Sequence, residues 1–162
     1  MAIIREVPRV YLGSGNRIVE RIEKKYVIKF GCPENCRTGG QNRIEGDTWN
    51  KFKDDPHTAP FLVPVVDYDP HGAWLIMPYV SQKVRTLTYD ESEKWKYRIE
   101  KQGFGFSTAD FGPRNLGFNE AGEIVALDYG YRQGKFSWND RGRCGSCEHC
   151  RLHKVLQEKG VL

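Results

Sequence analysis

A lysine inside an apolar strand must find an anion or reach water, and Val27-Ile28-Lys29 places one there. Its ammonium can snorkel along the strand to the surface, or it can meet a carboxylate or phosphate inside. Upstream, Gly13-Ser14-Gly15 lies between two β-favouring runs. A glycine pair lets backbone N–H groups approach phosphate oxygens with no Cβ in the way, although the same residues also serve an ordinary turn. Carboxylates follow at Glu45, at Asp110 and at Asp128, the last closing an apolar run as Leu127-Asp128-Tyr129-Gly130. Taken singly, a helix glutamate reads as a solvated face and an Asp before a glycine as a turn.

The cysteines carry a second kind of chemistry. Cys144-x2-Cys147-x2-Cys150-x2-His153 offers thiolates and an imidazole at three-residue steps, and Cys32-x3-Cys36 offers two more sulfurs. Tetrahedral zinc takes four such ligands. Five is an odd number, and a reduced compartment favours metal over a disulfide framework. Structural zinc is the expected use, with free thiols, an iron–sulfur cluster or a disulfide as alternatives. A site drawing on both groups would tie the loop after Lys29 to the C-terminal tail. Cys144, Cys147, Cys150 and His153 alone would make a local knuckle, with His149 in reserve.

These residues need elements to hold them. Residues 10–30 read as short strands around tight turns, with Glu23-Lys24-Lys25 as a hairpin tip. Residues 31–40 read as a loop. Ile44, Trp49 and Phe52 fall roughly on one stripe and predict a helix over 42–52, which Gly46 weakens. The runs 61–67 and 73–80 predict a hairpin around Asp69-Pro70-His71-Gly72, with Pro64 and Pro78 at edges or strand ends. Trp95 and Ile99 predict a helix over 90–102, and residues 116–127 read as a hairpin turning at 119–122. A short helix is expected over 152–159.

The order of these features resembles the protein-kinase-like superfamily, which includes protein kinases and aminoglycoside phosphotransferases, over roughly residues 10–131. The resemblance implies that Gly13, Ser14 and Gly15 form the loop over the phosphates, with the family's third glycine missing near Ile18. It implies that Lys29 holds the α- and β-phosphates of ATP and pairs with Glu45 on the following helix. Asp110-Phe-Gly-Pro-Arg-Asn115 matches the catalytic loop. Asp110 would orient the acceptor hydroxyl and take its proton, and Asn115 would bind metal. Thr108-Ala109 stands where the family has His-Arg or His-Gly. Asp128, 13 residues after Asn115, would bind the Mg²⁺ that bridges the phosphates. Trp74-Leu75-Ile76-Met77-Pro78-Tyr79-Val80 resembles the fifth strand and hinge. Met77 would be the gatekeeper, and Pro78, Tyr79 and Val80 would offer backbone hydrogen bonds to adenine.

The implied fold class is α+β, a bilobal kinase-like fold. An antiparallel-sheet N-lobe spans 1–80, and a much reduced C-lobe with a zinc-stabilised tail spans 81–162, the two forming one folded unit. Only 32 residues follow Gly130, too few for a full activation segment and helical lobe. Apolar residues at 39% with 17 glycines argue against wholesale disorder, and no run approaches the length of a transmembrane helix. The N-terminus meets charge at once, so a cytoplasmic protein is expected. A net charge of +4 permits phosphate or nucleic acid as partner but demands neither. The leading function is ATP- and Mg²⁺-dependent transfer of a γ-phosphate to a hydroxyl on an unidentified acceptor, a protein among the candidates. The alternative is a pseudokinase or nucleotide-binding regulatory module. A zinc-ribbon nucleic-acid binder leaves the Lys–Glu–Asp–Asn–Asp order unexplained.

Overall fold

A computed structural model of the chain describes residues 10–11, 17–31, 40–80, 87–101, 113–129 and 148–160. The architecture among them is α+β, with a five-stranded antiparallel sheet, a separate two-stranded hairpin and three α-helices.

β-Branched and aromatic residues build the centre of the sheet. β2 (Ile18–Ile22) turns through 23–25 into β3 (Tyr26–Phe30), with Val19 opposite Lys29. Glu23 takes the positive φ, 52°, that this tight connection requires. β1 (Val10–Tyr11) pairs with the outer side of β2. β5 (Trp74–Pro78) pairs with the other side of β3, and β4 (Asp67–Tyr68) closes the far edge, giving the order β1-β2-β3-β5-β4. Lys29 lies opposite Leu75, and Val27 opposite Met77. The pleat puts these four on one face, and all four are buried. Lys29 therefore enters the core instead of snorkelling outward.

α1 (Gly40–Phe52) starts two residues before the expected 42. Gly46, a poor helix former, has a packing reason to be there. A Cβ at that position would lie 2.4–2.5 Å from ring atoms of Tyr68, so only glycine lets the β4 tyrosine lie against the helix.

The apolar run 61–67, read above as one arm of a hairpin, is a strand only at its end. Ala59–Phe61 is a 3-10 turn. Leu62 then makes a single parallel bridge to Ala126, and the Val63 N–H donates to the Ala126 carbonyl at 3.0 Å. Pro64 has no N–H with which to extend that pairing. Leu62, Val63 and Val65 are all buried, so burial, rather than a ladder, accounts for the apolar run.

α2 (Tyr89–Lys101) opens with a capping box. The Thr88 hydroxyl accepts from the Glu91 N–H at 3.2 Å, and the Glu91 carboxylate accepts from the Thr88 N–H at 2.9 Å. Trp95 on this helix donates to the Ile124 carbonyl at 3.1 Å and meets Phe61 edge-on. β6 (Leu116–Phe118) and β7 (Ile124–Ala126) form the second sheet, and Gly122 supplies a φ of 78° in their turn. One apolar core runs through both parts, joining Val27, Leu75 and Met77 to Trp95, Ile99, Leu116, Val125 and Tyr129. α3 (Glu148–Glu158) begins four residues before the expected 152, so Cys150 sits in a helix rather than a loop. Among the described residues, no helix is long and apolar enough to cross a membrane.

Candidate functional site

Two cations and two carboxylates meet where β2, β3, α1 and the segment after β7 come together. The Lys29 ammonium lies 2.8 Å from Glu45 Oε1 and also donates to the Leu127 carbonyl. Arg17, immediately before β2, places Nη1 2.6 Å from Glu45 Oε2 and Nη2 2.7 Å from Asp128 Oδ1. The Tyr129 N–H donates to Glu45 Oε1 at 3.2 Å. Glu45, wholly buried, thus accepts from two side-chain cations and one backbone amide. Such compensation is what an interior charge requires.

Each position has a local cause. Asn42 and Glu45 are three apart on α1 and so share a face. The Asn42 amide donates to the Lys29 carbonyl at 2.9 Å and to the Gly72 carbonyl at 3.0 Å, while its oxygen accepts from Arg17 Nη1 at 2.7 Å. That docks the first turn of α1 on the end of β3, and Glu45 follows one turn later. Tyr129, fully buried, donates its hydroxyl to the Val63 carbonyl at 2.7 Å. This anchors the residue next to Asp128. Asn115 ends a 3-10 turn (Pro113–Asn115), and its carbonyl accepts from the Leu127 N–H at 2.8 Å. Asn115 and Asp128 therefore lie at the same end of the β6–β7 hairpin.

The four charges sum to zero. Burial pulls the Lys29 ammonium below its ordinary value; Glu45 opposes this, Arg17 adds to it, and Asp128 opposes it. Burial also works against the Arg17 charge, but Asp128 and Glu45 outweigh it, so the guanidinium is held more firmly protonated than in a free arginine. Burial first, then Glu45 and Asp128, push the Tyr129 phenol well above its usual range.

The residues expected to form a hinge are also placed. Met77 is buried beside Val27. Pro78 ends β5. The Tyr79 N–H donates to the Lys25 carbonyl at 2.7 Å, and the Arg21 guanidinium lies 3.7 Å from the centre of the Tyr79 ring. Val80 reaches β6, where a Cβ on Gly117 would come within 2.9 Å of its Cγ1. Gly13, Ser14, Gly15, Cys32, Cys36, Asp110, Cys144 and Cys147 lie outside the described residues, as do the side chains of His149 and His153. Cys150 is buried in α3. Among the described residues there is no cluster of three or more His, Cys, Asp or Glu side chains able to hold a metal. Asp128 and Asn115 would be a two-ligand set. That fits Mg²⁺, which typically takes one or two protein ligands and fills its remaining positions with phosphate oxygens and water.

Sequence reasoning passed over Arg17, Asn42 and Tyr129. For Arg17 a signal existed: Lys29, Glu45 and Asp128 alone sum to −1, and a buried cluster of that charge calls for one more cation.

No protein-family model and no curated protein matches the sequence. Among solved structures, the chain is similar to WbdD, described as a bifunctional kinase-methyltransferase, with 18% identity over 76% of this chain and 32% of that one and a TM-score of 0.44. A further crystal structure of WbdD gives 16% identity, 74% and 31% coverage and a TM-score of 0.42. A WbdD co-crystal with a kinase inhibitor gives 19%, 76%, 32% and 0.45. The chain spans about a third of the length of these structures.

Proposed function

We propose that the chain is a minimal kinase-like phosphotransferase that uses ATP and Mg²⁺ to phosphorylate a hydroxyl. The observation that carries this reading is the Lys29–Glu45 ion pair at 2.8 Å, joined through the Leu127 carbonyl and the Tyr129 N–H to the segment bearing Asp128. A lysine so held is presented to phosphate oxygens as a fixed positive charge. Residues 1–80 would act as the nucleotide lobe and 81–162 as the catalytic lobe. Pro78 has no N–H and the Tyr79 N–H is bonded to Lys25, so a hinge donor to adenine falls to Val80. Met77 walls the back of that pocket, and Gly13, Ser14 and Gly15 cover the phosphates.

Bound Mg²⁺ supplies charge neutralisation on the phosphates, with Asp128 and Asn115 as its protein ligands. Asp110 orients the acceptor hydroxyl and takes its proton as the oxygen attacks the γ-phosphorus. The bond to the bridging oxygen breaks, and ADP leaves. Incubation with Mg²⁺ and γ-labelled ATP tests the reading through autophosphorylation or ATP hydrolysis. Asp128→Asn should abolish metal-dependent turnover, and Asp110→Asn should spare nucleotide binding while cutting transfer steeply. Full activity in both variants would overturn the assignment. The Arg17–Asp128 pair favours a second reading, a nucleotide-binding regulatory module without turnover, whose signature is ADP-sensitive binding and no product. The tail is proposed to hold one zinc through four of Cys32, Cys36, Cys144, Cys147, Cys150 and His153. Elemental analysis decides this, and five freely titratable thiols with no zinc would refute it.

A further inference from the structure

Asp128 is the one carboxylate of the cluster that reaches solvent, at 32% exposure, and its partner cation is almost wholly buried. The guanidinium has little freedom to leave. Nη1 donates to Asn42 Oδ1 and Glu45 Oε2, and Nη2 is ion-paired with Asp128 Oδ1 at 2.7 Å. A planar guanidinium hydrogen-bonded through one nitrogen and ion-paired through the other is more restrained than a lysine on a free stem. Lys29 is engaged by Glu45 and the Leu127 carbonyl, and Arg17 sets a positive charge 2.7 Å from Asp128 Oδ1.

We propose that Arg17 is a resident counter-ion of Asp128, so that the site admits a divalent cation only together with a polyphosphate. The proposal rests on the phosphotransferase reading of the same site and adds to it an order of loading. Arg17, Lys29, Glu45 and Asp128 are neutral as a group. A bare divalent cation would raise that sum to +2 beside a buried guanidinium, where screening is weak. It must either displace Nη2 from Oδ1 or share the carboxylate with it at short range. A polyphosphate arriving with the cation removes the excess charge and gives both the metal and Lys29 oxygens to bind. Removing the guanidinium takes one positive charge away from Asp128 and leaves the four-residue group one charge more negative, so a bare metal ion binds more readily.

The test is Mn²⁺ binding to the full chain without nucleotide, followed by electron paramagnetic resonance of the free ion. The expected result is weak binding by the wild type and at least tenfold tighter binding by Arg17→Met and Arg17→Gln, reversed when Asp128→Asn is added. A loss of structure alone would not create metal affinity that depends on Asp128. A second measurement uses the wild type only, titrating Mn²⁺ with and without a non-hydrolysable ATP analogue. Affinity should rise at least tenfold with the analogue. Equal Mn²⁺ affinity in wild type and both Arg17 variants overturns the proposal, as does tight Mn²⁺ binding by the wild type alone. Failure of the wild type to bind the analogue overturns the phosphotransferase reading instead, and the nucleotide-free comparison still decides the role of Arg17.

Discussion

Replacing Glu45 with Gln keeps the shape of the side chain and removes its charge. In one amide orientation the new N–H₂ faces Arg17 Nη1 across the 2.6 Å now spanned by an ion pair. In the other it faces both the Lys29 ammonium at 2.8 Å and the Tyr129 N–H at 3.2 Å. Either way donor meets donor, and of the two carboxylates in the cluster Asp128 alone keeps its charge beside the two buried cations. Removing one member of a buried, hydrogen-bonded pair costs about 3–5 kcal/mol, a large share of the roughly 5–15 kcal/mol that holds a domain folded. Urea unfolding followed by tryptophan fluorescence reads this directly. A loss below about 1 kcal/mol, the scale of an exposed pair, would refute the claim that Glu45 is the interior hub. Combining Glu45→Gln with Lys29→Met gives a sharper check. The double variant should be more stable than the sum of its parts by about 0.5–3 kcal/mol, because each single change strands the other's partner. Strict additivity would mean that the two do not interact.

Gly46→Ala adds a Cβ within 2.4–2.5 Å of the Tyr68 ring. Overpacking of about 1–3 kcal/mol should exceed the helix gain of ~1 kcal/mol, and a rise in melting temperature would contradict this. Tyr129→Phe leaves the buried Val63 carbonyl without its 2.7 Å donor and should lower stability by about 1–3 kcal/mol in the same urea assay; no change would remove the anchor assigned to it. Burial holds the Lys29 pKa below 10.5, so above the folded value the unfolded chain binds more protons and stability should rise with pH towards 10.5. Lys29→Met should flatten that slope in urea titrations at several pH values, and an identical slope would count against a depressed Lys29.

What could be read from the residues was whatever local chemistry decides. The β2–β3 hairpin follows from β-formers around a charged turn, and α2 from Trp95 and Ile99 one turn apart. The β6–β7 hairpin follows from Asn119 and Gly122 between apolar arms. The run 61–67 misled because an apolar stretch says that it is buried, not what it pairs with, and its partner Ala126 lies some sixty residues away. Gly46 looked like a flaw until Tyr68 was in place. The charge sum of the cluster called for one more cation, but did not say which residue would supply it. An arginine before a strand is ordinarily a surface residue, and only the meeting of Glu45 with Asp128 gives it an interior role. Lys29 was legible because its neighbours Val27 and Ile28 already declare a strand whose inner face has no water.

Asn42 also limits how the molecule can move. With its amide bonded to two carbonyls, one from β3 and one from the β4–β5 turn, it pins α1 within the helix's first turn. Glu45 lies three residues beyond the pin, ~4.5 Å along the axis. A swing of the whole helix about so near a pivot barely displaces the Glu45 carboxylate, much as a door moves little beside its hinge. Breaking the Lys29–Glu45 contact therefore falls to rotations about side-chain bonds. The described geometry makes the Glu45 side of the cluster a stiff platform, and leaves adjustment to the rotamers of Lys29 and Asp128.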